Sequence, residues 1–343
     1  MAVDDVRAVP RPTRVAVALG GGGARGYAHI GILAVLEERG YEIVSIAGTS
    51  MGAVVGGLYA SGGLDAYSEW VCGLAHRDVL RLYDLSPRAP GAIRGERIFA
   101  HVSDILGDAR IEDLPLPFTA VATDLMAGEE RWFQEGPVAA ALRASAALPG
   151  FMTPVVINGR LLADGGLVNP LPIAPTVTAH ADLTVAVTVS GQHRTLADWS
   201  AAGQATRGSE RADVLRRTAT HVLDSDIVRA LGTRLSAVRG SGSAAELADE
   251  VPEPAFDPMP AGLRFMDVMG LSLEAVRSAA LRRTLADHSP DVLIEIPRTA
   301  CRTLDFHRAE AMIEIGRRLA EEALDGADGS SGAARPATAT AGG

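Results

Sequence analysis

The chain has 343 residues, of which 47% are hydrophobic and 22% are charged, and this globular composition argues against a wholly disordered chain. The formal net charge of −10 makes nucleic-acid binding through phosphate neutralisation unexpected. All 32 basic residues are arginine, which excludes a Walker-type phosphate loop, a Ser-Lys dyad and Schiff-base chemistry, because each of these needs a lysine.

The N-terminal quarter of the chain has the pattern of alternating strands and helices. Residues 1–13 mix charged, apolar and proline residues, lack the apolar stretch of a signal peptide and are predicted to form a flexible arm. Residues 14–19 form an apolar run that ends at four glycines, which indicates a buried strand leading into a tight loop. A helix over 24–39, a buried strand at 43–47 and a helix at 51–60 follow. This β-α-β-α order predicts an α/β sandwich with a largely parallel sheet.

The stretch at 43–64 carries no charge, so a membrane-inserted segment is an alternative to a buried one. Six glycines and three serines interrupt this stretch, and the turn between a strand and a helix falls inside it. We therefore expect it to belong to the core of the domain.

The rest of the chain adds further strands and helices. Asn158-Gly159 between two short strands is the signal for a two-residue hairpin turn. Helices are predicted at 64–82, 96–106, 137–147 and 306–324, and strands at 118–123, 131–134, 155–157, 161–162, 183–189 and 292–296.

Two segments stand apart from this pattern. An insertion is predicted at about 196–263; it is polar and helical at first, and its residues 240–263 contain five acids, four prolines and no basic residue. A lid over the site and a tolerated surface excursion are its two interpretations, of which the excursion is favoured. Residues 326–343 are rich in Gly, Ala, Ser and Thr, which predicts a disordered tail.

A glycine-rich loop, Gly20-Gly-Gly-Gly-Ala-Arg-Gly26, joins the first strand to the first helix. Gly21, Gly23 and Gly26 match the dinucleotide fingerprint, but residues 45–50 lack the acid that this reading requires about 20 residues later. The same glycines could instead present backbone N–H groups at a helix N-terminus to a developing oxyanion. A tight turn without a ligand is the third interpretation.

The second motif is Gly48-Thr-Ser50-Met-Gly52, a G-x-S-x-G sequence that follows an apolar strand and opens a helix. This is the setting of a nucleophile elbow, in which a sharp turn exposes the serine hydroxyl. No histidine lies in a loop just after a late strand, as an α/β-hydrolase triad would require. His288 and His307 are better interpreted as surface or capping positions.

The third motif is Asp164-Gly165-Gly166, which follows a short predicted strand. The glycines let the backbone turn sharply and leave the carboxylate accessible, so Asp164 is a candidate base. An Asx-type turn is the alternative interpretation.

Taken in this order, the three motifs resemble those of the patatin-like phospholipase family. Two further segments, Ala144-Ser-Ala-Ala-Leu-Pro149 and Val121-Ala-Thr-Asp-Leu125, resemble a family block and a strand common in bacterial members. The resemblance covers about 14–190 and, less distinctly, the last strand and helix. It implies a three-layer α/β/α sandwich with a mainly parallel sheet and a hydrolase domain over 14–325.

The resemblance also implies a catalytic dyad, with Ser50 as the nucleophile and Asp164 as the proton acceptor. Arg25 would either brace the glycine-rich loop or meet a phosphate, and bracing is the simpler role. The implied oxyanion hole comprises Gly21, Gly22, Gly23, Arg25 and Gly26, with the N–H groups of Gly22 and Gly23 as its main donors. The implied supporting glycines are Gly48, Gly52, Gly165 and Gly166.

The implied activity is that of a serine hydrolase of lipid acyl esters, of the phospholipase A or lysophospholipase type. The partner is then a lipid or acyl-ester substrate, with peripheral membrane contact where that lipid belongs to a bilayer. Two alternatives remain: a regulatory or scaffold protein of the same fold, and an NAD(P)-dependent oxidoreductase motivated by the G-x-G-x-x-G match.

Neither a cofactor nor a metal is expected. No cluster of His, Asp and Glu has ligand spacing, and Cys72 and Cys301 lie far apart outside any C-x-x-C pattern. The cysteine usage fits a reducing cytoplasm, which is the expected location.

Overall fold

The computed structural model describes residues 11–84, 91–190, 259, 263 and 265–332. The chain divides into two compact units, one of Met1–Gly191 with Leu273–Gly343 and one of Gln192–Ser272. Every contact discussed below lies within the first unit. Most of the predicted arm, most of the predicted insertion and the tail beyond 332 lie outside the described residues, so the domain division stays a prediction.

A large, mainly parallel β-sheet forms the centre of the first unit. Its strands are β1 (Arg14–Leu19), β2 (Glu42–Thr49), β4 (Phe118–Asp124), β5 (Glu129–Phe133), β7 (Val155–Ile157), β8 (Arg160–Asp164), β9 (Leu183–Ser190) and β10 (Val292–Pro297), and a separate pair consists of β3 (Gly91–Ile93) and β6 (Gly150–Met152). The order is β10-β9-β1-β2-β4-β8-β7, with β5 also paired to β4. The first five strands of this order are parallel, whereas β5 and β8 run antiparallel to β4.

Helices cover both faces of this sheet. They are α1 (Ala28–Glu38), α2 (Met51–Ala60), α3 (Leu64–Cys72), α4 (His76–Leu82), α5 (Glu96–Leu106), α6 (Val138–Ser145), α7 (Phe265–Asp287) and α8 (Ala309–Gly332). Along β1 the side chains alternate between the two faces, as in any strand. Val17 belongs to the core formed with α1, α2 and α8, whereas Ala18 packs with Leu281 and Leu285 of α7. The predicted three-layer α/β/α sandwich is therefore confirmed.

The structure departs from the predicted elements in a few places. The helix expected over 64–82 is two helices, because the chain leaves helical geometry after Gly73 and is extended at Ala75. The three-residue strands β3 and β6, and the long helix α7, were not predicted. The final helix continues to Gly332, beyond residue 325. The predicted hairpin turn is confirmed, since Asn158 and Gly159 both have positive φ, 51° and 76°.

The uncharged stretch at 43–64 forms most of β2 and the whole of α2, and its side chains are largely buried in the core. Its predicted assignment to the core is therefore confirmed. None of the described helices has the length and apolar character that a bilayer crossing requires.

Helices α1 and α8 touch through glycines, and this contact can be tested. A methyl group at Gly316 would overlap the carbonyl oxygen of Ala28, whereas one at Gly326, in the same helix, would meet nothing within 4 Å. We expect Gly316→Ala to lower the free energy of unfolding by about 2–3 kcal/mol, because the helices must separate. The control Gly326→Ala should raise it by up to about 1 kcal/mol. If both variants changed the free energy of unfolding equally, as measured by urea unfolding, the close contact at Gly316 would be contradicted.

Candidate active site

Ser50 occupies a strained turn between β2 and α2. Its backbone angles, φ of 56° and ψ of −124°, lie in a region that residues other than glycine rarely adopt. The Ser50 carbonyl oxygen accepts hydrogen bonds from the amides of Ala53 (2.9 Å) and Val54 (3.1 Å), which start the helix directly after the turn. The side chain is therefore held at the carboxyl end of a parallel strand, as the elbow motif predicts.

The glycines on either side of Ser50 allow backbone segments to cross at contact distance. A methyl at Gly48 would overlap the carbonyl oxygen of Gly52, and a methyl at Gly52 would overlap the carbonyl oxygen of Leu19 at the end of β1. The turn therefore requires glycine at both positions for steric reasons.

Ser145, at the end of α6, holds the backbone of the elbow in place through two hydrogen bonds. Its hydroxyl donates to the carbonyl oxygen of Val121 at 2.6 Å and accepts the amide of Ser50 at 2.9 Å. Ser145 belongs to the segment at 144–149 that resembles a family block, but its sequence predicts no role for it. Its function was not predictable because its partners come from strands far away in the chain.

Asp164 ends β8 and lies opposite Ala122 in the sheet. Its carboxylate Oδ1 accepts the amide of Gly166 at 2.7 Å, so the Asx-type turn considered as an alternative is present. The other oxygen, Oδ2, is buried and has no hydrogen-bond partner among the described residues. The turn therefore uses one carboxylate oxygen and leaves the second free.

Burial raises the pKa of the Asp164 carboxyl, whose side chain is only 1% exposed. The charge of Arg277, hydrogen bonding by the Ser50 side chain and the Gly166 amide act in the opposite direction. The Ser50 hydroxyl thus lies close enough to influence the carboxyl, although it is not a well-formed hydrogen-bond partner of Oδ2. Hydrogen bonds between catalytic groups are often poorly aligned in the absence of a substrate and tighten when one binds.

A second hydrogen bond ties the elbow to the Asp-Gly-Gly turn. The hydroxyl of Thr49 donates to the carbonyl oxygen of Asn169 at 2.9 Å, and the Asn169 amide donates to the carbonyl oxygen of Gly165 at 2.8 Å. The residue before Ser50 and the residue after Asp164 therefore belong to one connected network, which limits how far the two can move apart.

The glycine-rich loop is anchored at both ends and free in the middle. The amides of Gly20, Gly21 and Ala24 donate to backbone carbonyls, whereas those of Gly22 and Gly23 have no hydrogen-bond partner in the described part of the chain. The acceptors are the carbonyl oxygens of Val187, Pro170 and Thr303, at 2.8, 3.2 and 2.9 Å. An oxyanion site requires unused N–H donors of this kind, and Gly23 lines the same pocket as Ser50.

The loop glycines face different surroundings. Gly23, with φ of 57°, lines the same pocket as Ser50, and a methyl at Gly21 would lie 3.3 Å from the Ser50 Cβ atom. Gly22 borders a cavity on the other side of the loop. Gly26 packs under Met51, where a methyl would overlap the Met51 side chain. The structure thus brings Gly21 and Gly23 towards Ser50 and gives Gly26 a packing role.

Arg25 braces the loop. Its guanidinium donates to the carbonyl oxygen of Gly22 (3.3 Å), the carbonyl oxygen of Arg298 (3.0 Å) and the hydroxyl of Thr303 (2.6 Å). Burial lowers the pKa of this guanidinium. Since each of its three nitrogens has a protein partner, the geometry favours bracing over phosphate contact.

His29, for which the sequence predicts no role, contacts the first residue of the glycine-rich loop. It is fully buried, and its Nε2–H donates to the carbonyl oxygen of Gly20 at 2.9 Å. Burial lowers its pKa to about 4, so the imidazole is neutral near pH 7 and can donate this bond. His307, by contrast, contacts His76 at the surface, and neither His288 nor His307 lines the pocket with Ser50.

A largely apolar pocket opens at Ser50, and we call it the apolar pocket. Asp164 and Arg277 contribute its charged groups. Its aromatic lining consists of Tyr27, Tyr67, Trp70, Tyr83, Phe99, Phe151 and Phe306. Among the described residues, no group of three or more His, Cys, Asp or Glu side chains could hold a metal ion.

The chain is similar to known proteins over most of its length. The family model described as patatin-like phospholipase matches residues 17–177. An NTE family protein of Mycobacterium bovis is 44% identical over 337 residues, covering 91% of each chain. The patatin-like phospholipase domain-containing protein 7 of Mus musculus is 35% identical over 53% of this chain and 14% of its own length. The crystal structure of VipD from Legionella pneumophila aligns with a TM-score of 0.48 at 15% identity, covering 92% of this chain and 68% of that one.

Proposed function

We propose that this chain, which belongs to the patatin-like phospholipase family and is an NTE family protein, hydrolyses lipid acyl esters through a Ser50–Asp164 dyad. One observation carries the proposal. The strained Ser50 lies beside the buried Asp164 carboxylate, whose Oδ2 has no hydrogen-bond partner among the described residues. Membership of the family supports a lipid hydrolase, and the phospholipase A or lysophospholipase type is our finer proposal.

Acylation begins at Ser50. Asp164 accepts the proton of the Ser50 hydroxyl while the Oγ atom of Ser50 attacks the ester carbonyl carbon. The carbonyl electron pair moves to the oxygen, and the resulting oxyanion is stabilised by the free amides of the glycine-rich loop, with Gly22 and Gly23 as the proposed donors. The bond to the alcohol then breaks, and the leaving oxygen takes the proton from Asp164, which leaves Ser50 acylated.

Deacylation reverses these roles with water. Asp164 accepts a proton from the water, whose oxygen attacks the acyl carbonyl carbon. The second oxyanion collapses, the bond to Ser50 Oγ breaks, and Oγ recovers the proton held by Asp164. The carboxylic acid is released and the enzyme returns to its starting state, with no external acid, base or metal consumed.

The apolar pocket supports a lipid acyl chain as the group that lies next to Ser50. Ser50, Asp164, Arg277 and Thr303 are polar members of its lining, while most of the remaining lining is aromatic or aliphatic. A chain placed there would have its ester at the nucleophile. We further propose action in the cytoplasm, with peripheral contact to the membrane that supplies the lipid.

A fluorophosphonate probe tests the nucleophile directly. We expect it to label the folded wild-type chain at Ser50 and to leave Ser50→Ala unlabelled, because the probe reacts with an activated serine. A panel of acyl esters of increasing chain length then measures hydrolysis by the same two proteins. Folded wild-type protein that neither reacts nor hydrolyses would overturn the proposal and favour a regulatory or scaffold protein of this fold.

A further inference from the structure

Arg277, on α7, places a guanidinium group between the glycine-rich loop and the Asp-Gly-Gly turn. A methyl at Gly21 would lie 2.9 Å from its Nη2 atom, and a methyl at Gly166 would lie 3.0 Å from it. Arg277 has no hydrogen bond or ion pair with any residue that the structure describes, although its charge acts on Asp164. A cation therefore stands beside the proposed dyad, and none of its N–H donors has a partner among the described residues.

A second cavity, which we call the polar cavity, lies behind the loop. Its lining includes Gly22, Arg25, Glu274, Arg277, Arg298 and Thr303. Arg277 and Thr303 line both this cavity and the apolar pocket. The two spaces thus meet at Arg277, one apolar and one polar, on either side of the glycine-rich loop.

The other charges of the polar cavity are already committed. Arg25 donates to the protein through each of its nitrogens, and Arg298 forms an ion pair with Glu274. Three arginines against one glutamate give the lining a net charge of +2. Among the described lining residues, Arg277 is the cation that is left to bind an anion.

The form of the guanidinium and the hydroxyls around it indicate which anion. Arginine donates through a planar fork that matches the oxygens of phosphate or carboxylate groups. Thr188, Ser278 and Thr303 add hydroxyl groups to the same lining. A phosphate, with oxygens pointing in several directions, can use both the fork and these hydroxyls at once.

Within the proposed acyl-ester hydrolysis, we propose that Arg277 is a specificity-determining residue that binds a phosphate group of the substrate. The acyl chain lies in the apolar pocket, the ester lies at Ser50, and the phosphate lies at Arg277 towards the polar cavity. The enzyme therefore prefers acyl esters that carry a phosphate over neutral acyl esters with the same chain.

A purely indirect role for Arg277, through the carboxyl of Asp164, makes a different prediction. An effect that acts through Asp164 alone changes the turnover of every ester alike, whether or not the ester carries a phosphate. Phosphate binding changes KM, and only for substrates that carry the phosphate. A matched pair of substrates separates these two roles.

The experiment compares a monoacylglycerol with the acylglycerol phosphate of the same chain, at a pH on the plateau of the pH profiles of both the wild type and the variant. We expect Arg277→Gln to lower kcat/KM for the acylglycerol phosphate by at least about tenfold, through KM, and to change that of the monoacylglycerol by less than about threefold. Arg277→Lys keeps the charge and should recover part of the loss. The matched control is Arg283→Gln, on the same helix, whose side chain is 86% exposed and which should alter neither substrate.

Equal losses for the two substrates, or no loss for the phosphate, would overturn the assignment of Arg277 while leaving the proposed hydrolysis intact. Hydrolysis of neither substrate by the wild-type chain would instead contradict the proposed function. In that case, calorimetric binding of the acylglycerol phosphate to Ser50→Ala and to the Ser50→Ala, Arg277→Gln double variant still decides the question. Tighter binding by the single variant supports phosphate recognition, and equal binding rejects it.

Discussion

Replacement of Ser50 by alanine is expected to lower kcat/KM for an acyl ester by more than about 10⁴-fold. The loss is large because the variant removes the atom that forms the covalent intermediate, and water would have to attack the ester in its place. The loop amides would still stabilise an oxyanion, so a small residual rate above that of the uncatalysed reaction is compatible with the mechanism.

The matched control is Ser61→Ala, just after the end of α2. The Ser61 hydroxyl donates to the carbonyl oxygen of Leu58 at 3.0 Å, and Ser61 does not line the apolar pocket. We expect full activity from it. Steady-state hydrolysis of one short-chain and one long-chain ester checks both variants. Activity in Ser50→Ala within tenfold of the wild type would exclude Ser50 as the nucleophile.

The second large effect concerns Asp164. We expect Asp164→Asn to lower kcat/KM by about 10³-fold or more, because a neutral amide does not accept the Ser50 proton. The substitution preserves shape: the amide oxygen can still accept the Gly166 amide, as Oδ1 does at 2.7 Å. Lost activity with an unchanged circular dichroism spectrum would then report chemistry and not folding.

Asp124→Asn is a demanding control for Asp164→Asn. Asp124 ends the neighbouring strand β4, is 4% exposed, and accepts the Met126 amide at 3.0 Å and Arg160 at 2.8 Å. Its loss costs a turn and an ion pair but no step of the reaction. If the two variants lost activity equally, the loss would be structural and Asp164 would not be the base.

The pH dependence of the wild-type enzyme follows from the burial of Asp164. The proposed reaction requires the ionised carboxylate. The value of kcat/KM is therefore highest above the pKa of this group and falls as the pH drops through that pKa. Because burial raises the pKa of Asp164, the acid limb should lie at a higher pH than for an exposed aspartate. Arg277→Gln should move that limb further up, since the Arg277 charge lowers the pKa of Asp164.

The parts of the site that are local in sequence were predictable. The elbow at Ser50 depends on a turn between a strand and the next helix, and on two glycines within a five-residue motif. The predicted bounds of α2 agree with the structure. Ser145, His29 and Arg277 were missed because their roles arise from contacts across the fold. Arg277 was the hardest to foresee, since α7 presents no single apolar face in its sequence and directly follows the predicted insertion.

The elbow and the buried carboxylate also bear on why the chain keeps this site. The positive φ of Ser50 stores about 1–3 kcal/mol of backbone strain, and the buried Asp164 carboxyl, whose Oδ2 has no partner among the described residues, adds a burial cost. Where turnover brought no benefit, a substitution that relieved either cost would be tolerated, because it would leave the fold at least as stable. A chain that served only as a scaffold would gain stability from Ser50→Gly or Asp164→Asn. The proposed catalysis by Ser50 and Asp164 would account for both costs at once.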